Sequence, residues 1–319
     1  MNFDVITVGN VTQDIFLISR AFAAKTIDSE QFMIWPYASK VDVPDVVYDT
    51  GGFASNSAVT FARQGLKVAC IGKVGLDSAG REIVRVLENE SVATTLMAKN
   101  AKHHSAFTTI LKPYNGDRTQ LIHRGATFEY DVEDVVFKKA KSKWVYIGSL
   151  SGNLKLLKSI LSWAKDNDVK VAYNPGPPEL KKARRLMTLL TSVDLLVTNR
   201  EELEGLTHFQ HPQDCLRRAR QAGLKNIIMT DGPAGAWVLD EGFIYSSGMY
   251  KKVRVVDRTG AGDAYSAGYI AARIKGASVE EAMSFAAANA TSVVGYIGAK
   301  DGILRNSAIH QIKVKQSYV

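Results

Sequence analysis

The chain has 319 residues, 46% hydrophobic and 23% charged, with a net charge of +8, a balance that excludes disordered and fibrous classes. That length buries a large core, either as one α/β domain or as two smaller ones. Two cysteines, Cys70 and Cys215, and six scattered histidines leave neither a disulfide framework nor a zinc site and point to a reducing, cytoplasmic setting.

The first residues, Met1-Asn2-Phe3-Asp4, carry an acid where a secretion signal needs bases, and Val5 to Val8 is too short to span a membrane. Phe3 to Val8 reads as a buried strand ended by Gly9. Asp14 follows, at the strand edge where open α/β sheets bind ligands. Phe22 to Asp49 is irregular and polar, but Phe32, Trp35 and Tyr37 argue for strands that cover something. Gly51-Gly52-Phe53-Ala54-Ser55-Asn56 then runs into a helix whose Ala58 and Ala62 suit close packing on a sheet. Lys67 to Gly72 is a further strand, followed by Gly75-Leu76-Asp77-Ser78-Ala79-Gly80 and a helix to about Glu88. Phe107–Lys112 and Arg118–His123 flank Asn115-Gly116, a strong hairpin signal.

Beyond the hairpin, strands at Trp144–Ile147, Val169–Tyr173, Asp194–Thr198 and Asn226–Thr230 alternate with helices at Leu154–Lys165, Glu179–Leu190 and Pro212–Ala222. That alternation predicts right-handed βαβ units on a mainly parallel sheet. Strands at Ala236–Leu239 and Phe243–Ser246 follow, and a long helix runs from Val279 to about Tyr296. No repeat or linker divides the chain, so the expectation is one domain over residues 1–319. The basic clusters Lys138-Lys139-Ala140-Lys141, Lys181-Lys182-Ala183-Arg184-Arg185 and Arg217-Arg218-Ala219-Arg220 fall in helical segments without interleaved aromatics. They read as solvated helix faces, not as a nucleic-acid surface.

Three strand edges carry Asn174-Pro175-Gly176-Pro177, Asn199-Arg200-Glu201-Glu202 and Thr230-Asp231-Gly232-Pro233-Ala234-Gly235. A fourth polar stretch, Val256-Asp257-Arg258-Thr259-Gly260-Ala261-Gly262-Asp263, opens a predicted helix from Ala264 to Ile274. Four such edges on one side of a sheet make a ligand crevice. Gly260-Ala261-Gly262 begins like a dinucleotide fingerprint, but Tyr265 stands at its third glycine position, and no Walker-type phosphate loop occurs. A glycine-lined helix start holds an anion on its backbone amides, and Asp263 stands beside that anion. Amides for a phosphate and a carboxylate for a hydroxyl proton together suit phosphoryl transfer.

Thr259-Gly260-Ala261-Gly262-Asp263-Ala264-Tyr265-Ser266-Ala267-Gly268 closely resembles the C-terminal signature of the ribokinase-like (PfkB) carbohydrate kinases. Gly51-Gly52 through Asn56, with Gly72 to Gly80, resembles their N-terminal signature. Asn199/Glu202 is similar to their N-x-x-E motif, Thr230/Gly232/Gly235 to T-x-G-x-x-G, and Asn174-Pro175-Gly176-Pro177 to the ribokinase turn. The likeness implies a three-layer α/β/α sandwich with a small β lid, made of segments at about 15–50 and 105–125. It also implies ATP-dependent phosphorylation of a sugar or nucleoside hydroxyl.

By that analogy Asp263 is the general base, and Gly260, Ala261 and Gly262 form the anion hole. Asp14, Gly51, Gly52 and Asn56 would hold the acceptor. Asn199, Thr230, Gly232, Gly235, Thr259 and Asn289 would surround ATP, and Glu202 would organise Mg2+ through water. Asp257 and Thr259 match positions that bind a monovalent cation, such as K+, in some members. Ribokinases carry a glutamate where this chain has Gly148-Ser149-Leu150-Ser151-Gly152, and a basic residue where it has Phe53, so the acceptor stays open between sugar and nucleoside. A non-catalytic sensor of sugars or nucleotides on the same fold is the alternative. The lid pieces, Phe22–Asp49 and the Asn115-Gly116 hairpin, are expected to pair into a small sheet that closes over the acceptor. Such a sheet has open edges, so a homodimer through the lid is also expected.

Overall fold

The computed structural model describes residues 1–114, 117–135, 137, 140–251, 253–305 and 312–318. The Asn115-Gly116 turn and Lys138-Lys139 therefore lie outside the described residues.

In chain order the strands are β1 (Asn2–Val8), β2 (Thr12–Ile18), β3 (Ala24–Ile27), β4 (Glu30–Met33), β5 (Asp45–Gly51), β6 (Val68–Ile71), β7 (Lys73–Gly75), β8 (Ala98–Asn100), β9 (Phe107–Lys112), β10 (Thr119–His123), β11 (Lys141–Ile147), β12 (Lys170–Tyr173), β13 (Leu195–Asn199), β14 (Ile227–Thr230), β15 (Ala236–Asp240), β16 (Phe243–Ser247) and β17 (Val314–Tyr318). The helices are α1 (Phe53–Arg63), α2 (Ser78–Asn89), α3 (Leu154–Asp166), α4 (Pro177–Leu180), α5 (Ala183–Leu190), α6 (Arg200–Thr207), α7 (Pro212–Gln221), α8 (Ala261–Ile274) and α9 (Val279–Val293).

Nine strands form one sheet in the order β17-β16-β15-β14-β13-β12-β11-β1-β6. From β6 to β14 neighbours pair in parallel, and β15, β16 and β17 add an antiparallel meander. Alternate residues feed opposite faces: Val5 and Tyr146 join the core under α1, α8 and α9, while Ile6, Val145 and Ile147 join the core under α3, α5, α6 and α7. Both faces are covered, which is why these strands read as continuous apolar runs. The expected α/β/α sandwich is what forms.

A second sheet, β10-β9-β2-β5, stands apart from the first. Here the chain departs from expectation. Asp14 does not lie in a loop after β1; it sits inside β2, whose polar start Thr12-Gln13-Asp14 hides the strand from a hydrophobicity reading. Segment 22–49 folds as the β3–β4 hairpin, turning on Asp28 and Ser29 at φ 48° and 71°, before it reaches β5. Trp35 packs edge-on to buried Phe22 at 5.7 Å and donates its indole N–H to the Ala21 carbonyl (3.0 Å), whereas Tyr37 is fully exposed.

Two helix boundaries also move. The helix expected over Glu179–Leu190 is split into α4 and α5. Buried Glu179 folds back to accept from the Leu150, Gly152 and Gly176 amides and the Ser149 hydroxyl, and this tightens the turn before Ala183. The last sheet helix starts at Ala261 instead of Ala264, because Gly260 caps it.

Candidate active site

Gly260 takes the left-handed conformation (φ 77°), and a Cβ there would stand 2.5 Å from the Ala299 Cβ, so only glycine fits. The chain turns at that point directly into α8. The first-turn amides of Ala261, Gly262 and Asp263 have no acceptor within the helix and carry its positive end. Of the expected anion-hole residues, Ala261 and Gly262 are in this turn and Gly260 is its N-cap, and the Ala261 amide also donates to the Arg258 carbonyl (3.4 Å).

The Asp263 side chain is half-buried beside them and its Oδ2 accepts a 2.8 Å bond from Asn56 Nδ2, on the first turn of α1. Burial raises its carboxyl to about 6, against the opposing pull of the Asn56 bond and of the Lys300 charge. It remains the ionised form at neutral pH, yet close enough to it to exchange a proton readily.

The second sheet brings Asp14 to the same place. Its Oδ1 accepts from the Thr12 hydroxyl (2.8 Å), and a Cβ on Gly51 would stand 2.1 Å from its Oδ2, so this glycine leaves the room the carboxylate uses. Asp14 pairs across the strands with Asp49. Burial holds the Asp14 carboxyl above its ordinary value, while the Thr12 bond and the Lys300 charge pull it down. Like charges directly opposite one another destabilise a sheet. Here the compensating cation is Lys300, whose ammonium is buried and interacts with Asp14, Asp49 and Asp263. Its Nζ donates to the Thr50 carbonyl and to Asn56 Oδ1 (3.0 Å). Asn56 is therefore engaged at both ends of its amide, a different situation from the acceptor contact expected of it.

Phe53 and Gly148, the first residue of the stretch Gly148-Ser149-Leu150-Ser151-Gly152, touch. The Phe53 ring packs against Tyr146 (4.7 Å between centroids), and a Cβ at Gly148 would stand 2.2 Å from the ring.

On the other side of the α8 N-terminus lies a cavity of about 620 Å³. Thr230, Gly232 and Gly235 line it with Ala261 and Gly262, and its remaining wall is largely apolar, including Met249, Val253, Val255 and Val294. Asn199 pairs with Thr230 in register, so the Asn199/Glu202 pair stands next to this edge. Those two residues form a capping box: Asn199 Oδ1 accepts from the Glu202 amide and Glu202 Oε2 from the Asn199 amide, each at 2.8 Å. Burial raises the Glu202 carboxyl.

Among the described residues, Asn199, Glu202, Thr259 and Asn289 do not line that cavity. Asn289 corrects the expectation most clearly. It is fully buried, its Nδ2 donates to the Ala264 carbonyl (2.8 Å), and its Oδ1 accepts from the Leu304 amide (2.9 Å). It ties α8 to the chain after α9, while its neighbours Ala290 and Thr291 face the cavity. Thr259 gives its hydroxyl to Asp257 Oδ1 at 3.0 Å.

Asp257 is buried as well. Its Oδ1 also accepts from the Thr259 amide (3.2 Å), its Oδ2 accepts from the Gly298 amide (3.2 Å), and Arg118, just before β10, stands 3.6 Å from it. Sequence reasoning missed Lys300, Asp49 and Arg118. No motif marks any of the three, and the nearest signal to Lys300 is its place in the glycine-flanked run Gly298-Ala299-Lys300-Asp301-Gly302.

The pfkB family carbohydrate kinase model matches residues 13–305. The chain belongs to that family. As a PfkB carbohydrate kinase it is a phosphotransferase with an alcohol group as acceptor. It is 28% identical over 303 residues to a probable fructokinase-6, chloroplastic, of Arabidopsis thaliana, covering 87% of this chain and 78% of that one. It is 26% identical over 264 residues to a ribokinase of Haemophilus influenzae (79% and 83% covered). Over 281 residues it is 27% identical to 2-dehydro-3-deoxygluconokinase of Escherichia coli (80% and 91%).

Solved PfkB-type structures share the fold. A nucleoside kinase of Methanocaldococcus jannaschii superposes with a TM-score of 0.76 at 21% identity, covering 94% of each chain. An Arabidopsis thaliana ribokinase complexed with ribose and ATP gives 0.74 at 21% (95% and 96%), and an Escherichia coli putative ribokinase II with ATP and Mg2+ gives 0.78 at 19% (95% and 96%). No helix among the described residues is long and apolar enough to cross a membrane.

Proposed function

We propose that this kinase transfers the γ-phosphoryl group of ATP to a hydroxyl of a neutral sugar or nucleoside, with Asp263 as general base. The observation that carries the reading is the junction at α8, where a half-buried carboxylate bonded to Asn56, its pKa raised to about 6, stands in the first turn of a helix whose positive end favours an anion. ATP enters the 620 Å³ cavity, its base against the apolar wall and its phosphates running past Thr230, Gly232 and Gly235 to the Ala261 and Gly262 amides. Asp14 accepts hydroxyl hydrogen bonds from the acceptor at the edge of the second sheet. Asp263 takes the proton of the attacking hydroxyl as its oxygen bonds to the γ-phosphorus. The α8 amides stabilise the charge on the transferring group.

Among the described residues no cluster of acids and histidines could hold a metal by itself. A lone carboxylate beside the phosphate edge fits Mg2+, which commonly binds through one or two carboxylates together with substrate phosphates. Glu202 would reach it through water, and when bound the ion neutralises phosphate charge. Asp257 fits a monovalent cation poorly. Both its oxygens already accept from chain donors, and Arg118 balances its charge. The acceptor is assigned as neutral because three carboxylates, of Asp14, Asp49 and Asp263, face a single ammonium, and that excess repels an acidic sugar.

The β10-β9-β2-β5 sheet acts as the lid in this reading, excluding water from the reacting phosphate. Its edge strands expose Val46, Tyr48, Leu121 and Ile122, which suits pairing with a second copy. Sedimentation velocity reads that last point, and a single-copy mass at micromolar concentration would end it. The function itself is tested by ADP release from ATP and Mg2+ across fructose, ribose, deoxyribose and nucleosides, with 2-dehydro-3-deoxygluconate as the acidic comparison. Release no faster than acceptor-free hydrolysis with every compound sinks the kinase reading, and preference for the acid sinks the neutral-acceptor assignment.

A further inference from the structure

We infer that Lys300 is a positioning residue for catalysis: through Asn56 it fixes the carboxylate of Asp263 at the hydroxyl to be phosphorylated. This rests on the assignment of Asp263 as the base.

Three observations lead there. Lys300 is 3% exposed; burial pulls its pKa below the ordinary value while Asp49, Asp14 and Asp263 oppose that, and a buried charge persists only where partners compensate it. Its partners are the Thr50 carbonyl and Asn56 Oδ1, the latter at 3.0 Å. Asn56 in turn donates to Asp263 Oδ2 at 2.8 Å. The chain ammonium to amide to carboxylate therefore spans three elements distant in sequence.

The direction of the amide is set from both ends, by the acceptor-only carboxylate of Asp263 and by Lys300. An asparagine side chain has an acceptor end and a donor end of nearly equal shape, so either could face Asp263. An ammonium only donates, so it commits the oxygen of Asn56 to itself and turns the NH2 toward the base. Turned the other way, the amide oxygen would meet the carboxylate as two acceptors and push it out of place. Among the described residues Lys300 is the hydrogen-bond donor to the Asn56 oxygen, so without it that oxygen loses its partner and the amide is held only by the carboxylate it is meant to position.

The charges facing this ammonium come from every surrounding element. Asp14 comes from β2, Asp49 from β5 and Asp263 from α8, with the Cys70 thiol from β6. Arg63 of α1 reaches the same residue but bonds its backbone carbonyl (2.6 Å), not the ammonium. Asp49 is itself fixed by the Thr50 amide (2.7 Å) and the Ala299 amide (3.3 Å), so the loop carrying Lys300 is held in place by the second sheet. Lys300 thus also offsets the Asp14–Asp49 repulsion where that sheet meets the acceptor. Its charge holds the Asp263 carboxyl below the value that burial alone would give.

The test compares Lys300→Met, of similar length and without charge, with Lys300→Gln, which keeps a donor without charge. The turnover of both is measured from pH 5 to 9 at saturating acceptor. For Lys300→Met we expect at least a tenfold loss of kcat at pH 7 and a KM for ATP within twofold of wild type. The acid limb of kcat should move upward by about one pH unit or more, as loss of a nearby opposite charge requires. Lys300→Gln should regain part of kcat at high pH while its limb stays shifted. A limb that stays in place with kcat within twofold overturns the proposal. So does failure of both variants to fold by circular dichroism, which would make Lys300 a stability element. Failure of the underlying reading looks different: the wild type lacks an acid limb, or Asp263→Asn stays active.

Discussion

Asp263→Asn tests the catalytic reading and its energetics in one protein. The substitution keeps shape and an oxygen to accept from Asn56, but removes the charge that α8 and the core have buried. The carboxyl rises from an ordinary 3.8 to about 6 on folding, and at about 1.4 kcal/mol per unit this amounts to about 3 kcal/mol. The sign follows from the direction. A group whose folded pKa is raised binds its proton more tightly in the native state, so its contribution is fully present below pH 3.8 and is lost as pH rises through about 6. At pH 7 the wild type therefore carries the whole penalty, and Asp263→Asn should be more stable by about 2–3 kcal/mol. Near pH 4 that advantage should vanish. Turnover should fall by ~10²–10⁴ or more, as expected when a positioned base is lost. Urea unfolding at pH 7 and at pH 4, alongside steady-state ADP release, measures both quantities. A variant that keeps more than about half of wild-type turnover refutes the base. One that is no more stable at pH 7 refutes the burial argument, whatever its activity.

Asp14→Ala should lower kcat/KM for the acceptor by about ten- to a hundredfold through lost charged hydrogen bonds, while KM for ATP barely moves; equal damage to both substrates would make Asp14 structural. Because Arg118 balances Asp257, wild-type rates should match in KCl and in tetramethylammonium chloride at equal ionic strength, and Arg118→Ala should become K+-activated. A wild type stimulated severalfold by K+ would contradict that. Trp35→Ala removes the Phe22 contact and the bond to the Ala21 carbonyl, so it should loosen segment 22–49, raise the acceptor KM and increase ATP hydrolysis without transfer. Unchanged values in both assays would separate that segment from closure.

The core of this fold is legible because its strands are buried on both faces and its edges are glycine-rich. Phe107–Lys112 was readable to the residue, and Asn199, Thr230, Gly232 and Gly235 fall on one edge as their motifs suggest. What stays hidden is held by partners far apart in the chain. β2 begins polar because Asp14 meets the site, and β17 is mostly exposed, held to β16 by the ladder and by contacts such as Tyr318 on Phe243, so neither carries a periodic apolar signal. Asn289 was expected at the nucleotide, yet it is Ala290 and Thr291 that line the cavity: a shift of one position on a helix turns a side chain by about 100° and sends Asn289 into the core. Lys300 is one lysine among many until Asp14, Asp49 and Asp263 converge on it. Its meaning lies in contacts separated by up to 250 residues, as with Thr50.

The Phe53 ring and the bare Gly148 backbone constrain one another, because each position owns the space the other needs. Introducing any side chain at 148 drives its Cβ into the ring, and truncating Phe53 alone leaves a void of a kind that costs about 3–5 kcal/mol in a full core. A single-site mutational scan will therefore score both positions as intolerant. The pair is nonetheless exchangeable as a unit: a small residue at 53 with a carboxylate at 148 fills the same volume with the opposite polarity. Switching this contact from aromatic to acidic should thus take a double replacement, with each single change less stable than the pair.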